Sequence, residues 1–305
     1  MSALRSAVKA GVEQLLRALH RAGLAQRISP PARLVLAYHN IVPRGEKPVG
    51  DLSLHLAQDV FAAQLDALLD HAEVVSLNDL LDGPNPSDRL RVAITWDDAY
   101  RGAVTAGFEE LSRRNLPATL FVAPGCLGGF EFWWDALADP VGGLMAGIRA
   151  MALDEASGLT ARVRSLAQKH GWPWRRLPAF ATTAAEDELR ALSRAPGVTL
   201  GAHTWNHPNL TRLTPDERRE ELVRPLEWLG ACPGATLPQL AYPYGLADAD
   251  VKRDVAAAGY LGALLVEGAW WRGPVADRFA IPRFNVSAGL SDAGFELRLY
   301  GRITR

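Results

Sequence analysis

The chain has little of several features that define whole classes of protein. Only two cysteines, Cys126 and Cys232, occur in 305 residues, which does not indicate a disulfide framework and favours a reducing compartment, with a single bridge left open. No apolar run reaches the roughly 20 residues that a membrane-spanning helix needs. The formal net charge is −1, so nucleic acid is not an expected partner. About half of the residues are hydrophobic, which predicts a globular protein with a sizeable core.

The first 30 residues also lack the clean apolar segment of a secretory signal. Cationic side chains are spread among leucines and alanines: Arg5, Lys9, Arg17, Arg21 and Arg27. We predict an N-terminal amphipathic helix over residues 1–30, which could pack on its own domain, bind a partner or touch a membrane surface peripherally. The expected location is cytoplasmic, with membrane association left open. The residues carry no indication of oligomeric state.

Residues 31–305 show the alternation of strands and helices that is typical of an α/β domain. The predicted strands are 34–38, 73–77, 91–96, 118–123, 198–202, 238–242, 261–266 and 279–284. Helical patterns lie between them at 57–71, 101–114, 214–230 and 247–258. This order indicates a parallel sheet, and the number of units predicts a closed or nearly closed, TIM-like barrel.

One region, residues 130–196, contains no strong strand pattern. It holds Phe132-Trp133-Trp134-Asp135, an alanine-rich helical pattern and a further helix near 185–194. We predict a helical insertion between two barrel strands. Such insertions on the C-terminal face of a barrel usually shape the substrate cleft.

Two adjacent carboxylates, Asp97 and Asp98, directly follow the predicted strand 91–96. Successive side chains of a strand point to opposite faces, so the pair can divide its work between binding a cation and accepting a proton. His203 and His207 follow the strand 198–202. Two imidazoles and one carboxylate form a divalent metal site suited to zinc, with positions open for water and substrate. The alternative is that both histidines only satisfy loop carbonyls.

These motifs resemble those of the polysaccharide deacetylases, carbohydrate esterase family 4 with its NodB-homology domain. Thr95-Trp96-Asp97-Asp98 is similar to the family's Thr-Phe-Asp-Asp motif, and His203-Thr204-Trp205-Asn206-His207 to its His-Ser/Thr-x-x-His motif. Ala241-Tyr242-Pro243-Tyr244-Gly245 is similar to the third motif, and Tyr38-His39 to the Tyr-His that opens many bacterial members. The motifs occur in the family's order, and the resemblance covers roughly residues 33–287.

The resemblance implies a distorted (β/α)7-type barrel and a metal-dependent hydrolase that removes N-acetyl groups from an acetylated sugar or glycan precursor. By position, Asp97 would be the general base, and Asp98, His203 and His207 would hold the metal ion, with zinc favoured. The backbone N–H of Tyr244 would help to hold the oxyanion. This agrees with the residue chemistry, because a metal ion, a carboxylate base and a backbone donor together catalyse amide hydrolysis.

Three positions depart from the family pattern. The glycine after the acid pair is Ala99, the arginine that opens the third motif is Ala241, and the histidine of a later Leu-x-His motif is not found. Arg283, at a predicted strand end, could replace that arginine by a bidentate pair with Asp97, or it could be an ordinary surface residue. His39 is the candidate general acid or substrate contact, unless it only bonds a loop carbonyl.

Aromatic rings stack on sugars, so Trp134, Trp205 and Tyr244 are candidates for a carbohydrate-binding platform, with Asp135 as a polar contact. A single tryptophan is more often part of the core. Two other functions stay open: a metal-dependent hydrolase of another C–N bond, and a non-catalytic carbohydrate-binding relative. The missing arginine and histidine favour the non-catalytic function, whereas the complete Asp98, His203 and His207 set opposes it.

Overall fold

A computed structural model of the chain describes residues 32–83, 89–139, 143–144, 146–268 and 270–299, together with positions 11, 14, 15 and 18. The predicted helix over residues 1–30 therefore lies outside the described residues apart from those four positions. The division of the chain at residue 30 stays a prediction. Within the described part of the chain, no helix is both long enough and apolar enough to cross a membrane.

In the described residues, ten strands form two parallel sheets. In chain order they are β1 Arg33–Tyr38, β2 Asn40–Val42, β3 His55–Ala57, β4 Ala72–Val74, β5 Leu90–Trp96, β6 Ala118–Val122, β7 Val198–Ala202, β8 Ala235–Ala241, β9 Gly262–Leu264 and β10 Phe284–Asn285. β2 pairs with β3, and the other strands form an eight-stranded sheet in the order β10-β1-β5-β6-β7-β8-β9, with β4 also paired to β5.

The large sheet curls until its two edges are bridged by one segment. Phe284 of β10 pairs with Leu36 of β1, and Ile281 forms a parallel bridge with Leu264 of β9. The few residues from Ile281 to Asn285 therefore include the edge strand β10 and also bridge to β9, the strand at the other edge of the sheet. This confirms the predicted α/β barrel with parallel strands.

Helices lie between most of the strands. They are α1 Gln58–His71, α2 Leu77–Asp82, α3 Phe108–Arg113, α4 Trp133–Ala136, α5 Ala146–Asp154, α6 Thr160–His170, α7 Glu186–Leu192, α8 Pro215–Gly230, α9 Ala249–Ala257 and α10 Asp292–Leu299. α8 begins as its sequence predicts, because Thr214 and Glu217 cap each other's backbone and Pro215 occupies the first turn. Helices α4 to α7 lie between β6 and β7, where the described residues add no strand to the sheet.

Alternation along the strands separates the barrel interior from its outer layer. In β1, Leu34 and Leu36 belong to the large core, whereas Val35 packs with Ala93 and Phe121 in a smaller cluster inside the barrel. Leucines of α2 belong to the same small cluster: Leu77, Leu80 and Leu81. Helix α2 thus contributes apolar side chains to the barrel interior.

Several predicted strands are shorter in the structure, and the one predicted over 261–266 is reduced to Gly262–Leu264. The strand predicted over 73–77 ends at Val74, because Ser76 accepts a hydrogen bond from the amide of Asp79 and starts α2. Of the strand predicted over 279–284, only Phe284 belongs to a strand of the structure, β10. Pro282 has no N–H for the ladder, which explains the interruption.

Candidate active site

The predicted site residues meet at the carboxyl ends of the parallel strands. Asp97 and Asp98 follow β5, His203 follows β7, Tyr244 follows β8 and His39 follows β1. Together with His207 they line one cavity of about 160 Å³. Parallel strands bring residues that are distant in sequence to the same rim, which is where barrels of this class carry their chemistry.

Asp97 faces the barrel interior because it continues the alternation of Ala93 and Thr95 along β5. Its carboxylate is 2% exposed. Burial by itself raises the pKa of Asp97, but the charge and the hydrogen bonds of Arg283 outweigh burial and hold that pKa below its ordinary value. Asp97 is therefore an ionised carboxylate at neutral pH, as a general base must be.

Arg283 makes the bidentate pair with Asp97 that the sequence suggested. Its two terminal nitrogens donate to Oδ1 and Oδ2 of Asp97 at 2.7 and 2.6 Å. Nε donates to the Leu265 carbonyl at 2.6 Å, and one terminal nitrogen also donates to Thr95 Oγ1 at 3.2 Å. Arg283 is fully buried, so it is not an ordinary surface arginine. This geometry fixes both the charge and the orientation of Asp97.

Asp98, His203 and His207 form a buried group whose candidate ligand atoms all lie within 4.8 Å of one another. Asp98 Oδ1 is 3.4 Å from His203 Nε2 and 3.1 Å from His207 Nε2. Tetrahedral zinc with ligand distances of about 2.0–2.1 Å would separate its ligand atoms by about 3.3 Å. The spacing of the three atoms therefore suits a small divalent cation.

Hydrogen bonding supports the same fit. His203 Nδ1 lies 2.7 Å from the Ala241 carbonyl, to which it donates, so a neutral His203 turns the lone pair of Nε2 towards Asp98. Asp98 Oδ1 has no hydrogen-bond partner among the described residues, although it faces Nε2 of both histidines. Buried acceptor atoms that face one another in this way are stabilised by a cation between them. The donor set is the one expected for zinc and similar ions.

The backbone is strained at this rim. Seven described residues other than glycine have positive φ, and five of them lie in the three motifs: Asp98, Ala99, Thr204, His207 and Tyr244. The left-handed region disfavours residues with a Cβ and is typically retained where function requires it. Ala99, with a φ of +53°, occupies the position where the family pattern has glycine.

His39 lines the cavity beside both aspartates. Burial lowers its pKa below the ordinary histidine value, although the charges of Asp98 and Asp97 oppose that shift. An imidazole that is neutral at rest and close to two carboxylates can exchange a proton with a bound substrate. The structure thus places His39 where either of its two predicted roles is possible.

Tyr244 and Trp134 also line the cavity. The Tyr244 hydroxyl donates to the Gly158 carbonyl at 2.9 Å and accepts from Trp133 Nε1 at 3.0 Å, so the helical insertion holds this ring in place. Among the described residues, the backbone N–H of Tyr244 has no carbonyl acceptor. Trp134 stacks on Phe132 with ring centroids 4.4 Å apart, which leaves it one wall of the cavity rather than an exposed platform.

Comparisons with known proteins identify the family of the chain. A family model described as polysaccharide deacetylase matches residues 85–263, which is more than half of the chain. The chain belongs to the polysaccharide deacetylase family. A comparison with curated proteins finds no match.

Solved structures of similar fold include the Streptococcus pyogenes deacetylase PplD in complex with acetate, at 16% identity and a TM-score of 0.61, covering 89% of this chain and 99% of that chain. IcaB from Ammonifex degensii is similar at 17% identity and a TM-score of 0.58, with 91% and 100% covered. BC0361, a polysaccharide deacetylase from Bacillus cereus, is similar at 15% identity and a TM-score of 0.60, with 88% and 69% covered. At these identities the likeness shows a shared fold.

Two predicted substrate contacts do not reach the cavity. Asp135 is 1% exposed and accepts hydrogen bonds from the Asp51 amide at 2.8 Å, His55 Nε2 at 2.9 Å and the Tyr100 hydroxyl. Its oxygens are therefore occupied by the protein itself, and it joins α4 to the segment between β2 and β3. The ring of Trp205 lies beneath the Arg224 guanidinium, 3.9 Å from Cζ to the ring centroid, because its loop turns it towards α8.

Ala241 occupies the position where the family pattern has an arginine. It is fully buried in the small interior cluster, beside Phe121. Arg283 enters the same interior from the segment before β10, with Cζ 5.7 Å from the Phe121 ring centroid, and reaches Asp97 from that side. The guanidinium that contacts Asp97 thus comes from the segment before β10.

Sequence reasoning missed several residues that line or support the site. Asp51, Ser53 and Arg149 line the cavity, and Glu221 of α8 bonds to the loop that carries the two histidines. Neither the segment between β2 and β3 nor α5 follows a strand of the barrel, so no local pattern marked these residues. They are brought to the site by tertiary contacts alone.

Proposed function

We propose that this chain is a metal-dependent hydrolase that removes the acetyl group from an N-acetylated sugar or glycan precursor, with zinc as the favoured ion. One observation carries the proposal: the Asp98, His203 and His207 group lies in the same cavity as Asp97. Family membership supports the carbohydrate substrate. The metal and the roles of the individual residues are proposals from the geometry.

Asp98, His203 and His207 would hold the cation. When bound, a divalent cation polarises the acetyl carbonyl and lowers the pKa of an attacking water. Asp97 accepts the proton of that water, since Arg283 keeps it ionised and fixes its orientation. The backbone N–H of Tyr244 donates to the oxygen that becomes negative during attack.

The amine that leaves must receive a proton, and His39 is the residue we propose for this step. It lines the cavity with Asp97. Because His39 is neutral at rest, it would first take from Asp97 the proton that Asp97 accepts from the attacking water, and would then donate that proton to the nitrogen as the C–N bond breaks. Trp134 and Tyr244 provide apolar ring surface for the sugar on the wall formed by the helical insertion.

The non-catalytic alternative explains less of the structure. A protein that only binds carbohydrate has no need for a buried Asp97–Arg283 pair next to a complete set of metal ligands. Burying charges costs free energy unless they are well paired, and the strained positive φ values at Asp98, His207 and Tyr244 add to that cost. Such costs are typically retained at reactive sites.

Acetate release from N-acetylglucosamine oligomers by the zinc-loaded chain tests the proposal. We expect turnover by the wild type and a loss of about 10²–10⁴-fold in Asp97→Asn, which is the usual contribution of a general base. Asp70→Asn is the matched control, because Asp70 lies exposed at the end of α1. Equal acetate release by wild type and Asp97→Asn would contradict the proposed mechanism. Binding of the oligomers without any release would favour the non-catalytic function.

A further inference from the structure

Glu221 is a buried acid that the proposed chemistry does not use. It lies in α8 and is 8% exposed. Its Oε2 accepts the backbone N–H groups of Trp205 and Asn206 at 2.9 and 2.7 Å, and its Oε1 accepts Asn206 Nδ2 at 2.7 Å. One carboxylate therefore binds the middle of the loop between His203 and His207 with three charge-assisted hydrogen bonds.

That loop is strained and tightly enclosed. Thr204 and His207 have φ values of +63° and +58°, a region that costs roughly 1–2 kcal/mol for each residue with a Cβ. On the side opposite α8, the Gly125 amide donates to the Trp205 carbonyl at 2.8 Å. A Cβ at Gly125 would lie only 2.5 Å from Asn206 Oδ1, so the loop is held between the turn that follows β6 and helix α8.

The two histidines differ in how they are supported. His203 is anchored through Nδ1 to the Ala241 carbonyl, as metal-binding histidines usually are. His207 Nδ1 has no hydrogen-bond partner in the described part of the chain. The His207 amide donates to Thr204 Oγ1 at 3.1 Å. The His207 ring packs against Trp134 and Tyr244, with ring centroids 4.9 and 4.7 Å apart. With no hydrogen bond at Nδ1, its remaining support comes from the loop backbone, which Glu221 binds.

We propose that Glu221 is a positioning residue that holds His207 through the loop backbone and thereby sets the affinity of Asp98, His203 and His207 for a divalent cation. The affinity role rests on the proposed metal-dependent function. Glu221 does not contact the proposed ligand atoms. His207 has no acceptor for Nδ1 among the described residues, and Glu221 instead fixes the backbone of the loop that carries it.

Two measurements on the full chain test this role. The first is the Kd for Zn²⁺, measured by competition with a chelator for wild type, Glu221→Ala and Glu221→Gln. The second is amide hydrogen exchange over residues 203–208 after metal removal. We expect Glu221→Ala to raise the Kd by about 10–100-fold, the usual effect of losing a group that orients a ligand, and to speed exchange in the loop. Glu221→Gln keeps an acceptor oxygen, so its Kd and its exchange rate should lie between those of wild type and Glu221→Ala.

Glu220→Gln is the matched control, because Glu220 is the exposed neighbour on the same helix, and we expect wild-type behaviour from it. If Glu221→Ala does not fold, Glu221→Gln decides the matter. A folded Glu221 variant with wild-type Kd and wild-type exchange overturns the inference while leaving the proposed function intact. A wild-type chain that takes up no Zn²⁺ overturns the proposed function together with the affinity role, and loop exchange then reports only whether Glu221 holds the loop.

Discussion

Replacing Arg283 is the perturbation that separates the two tasks we assign to it, namely charging and orienting Asp97. Arg283→Met keeps much of the side chain's length and removes four hydrogen bonds, to Asp97 twice, to Thr95 and to the Leu265 carbonyl. Asp97 would then be a buried carboxylate without its main partner. Breaking a buried pair in this way destabilises a protein by about 3–5 kcal/mol.

The sign of the pH effect follows from the same contacts. In the wild type the pKa of Asp97 is depressed, so its contribution to stability is present at neutral pH and is lost as pH falls through that pKa. Without Arg283, burial dominates and the pKa of Asp97 rises. The variant should therefore be most destabilised at neutral pH, and the acid limb of its kcat/KM profile should move to higher pH.

Arg283→Lys is the informative comparison. Lysine keeps the positive charge but cannot form the planar two-pronged contact with Asp97. We expect a small shift of the acid limb and a clear loss of kcat. The measurements are pH profiles of acetate release and urea unfolding for wild type and both variants. Wild-type activity with an unchanged acid limb in Arg283→Met would refute the role assigned to Arg283.

Three further substitutions test other parts of the account. Ala99→Gly should raise the free energy of unfolding by about 0.5–1 kcal/mol in thermal or urea unfolding, because glycine accepts the +53° φ of this residue without strain; a loss of stability would show that the alanine is not strained. Asp135→Asn should lower the free energy of unfolding by about 3 kcal/mol, because the new amide group would face one of the three donors whose hydrogen bonds Asp135 accepts. An unchanged unfolding midpoint would contradict the proposed role of Asp135 in joining α4 to the segment between β2 and β3. His39→Gln should lower kcat about 10²-fold with little change in KM if His39 is the general acid, whereas a rise in KM alone would make it a substrate contact.

Much of the barrel could be predicted because buried parallel strands read as continuous apolar runs. Every residue of β1 and β5 is buried, and both were predicted nearly to the residue. The strand predicted over 279–284 was largely wrong, because apolar character alone does not show that Pro282 interrupts the ladder. Strands β2 and β3, three residues each, are too short to give a pattern.

The candidate site was predictable where residues follow strands. Asp97, His203 and Tyr244 follow β5, β7 and β8, so strand direction alone brings them to one rim. Trp205 and Asp135 lie in a loop and in a helix of four residues, where no periodicity says which way a side chain points. Their predicted contact with substrate was therefore a guess from residue type. The part played by Glu221 depends on the packing of α8 against the loop, which local sequence does not encode.

The most direct test of the central claim is the amount of zinc bound per chain in wild type and His207→Ala, purified side by side, equilibrated with zinc and desalted before elemental analysis. His207 would supply one of the three proposed ligands of a buried group, so its loss should abolish tight binding while leaving the barrel folded. We expect close to one zinc ion per wild-type chain and almost none in the variant. A wild-type chain that retains no zinc, or a His207→Ala chain that retains as much as wild type, would contradict that claim.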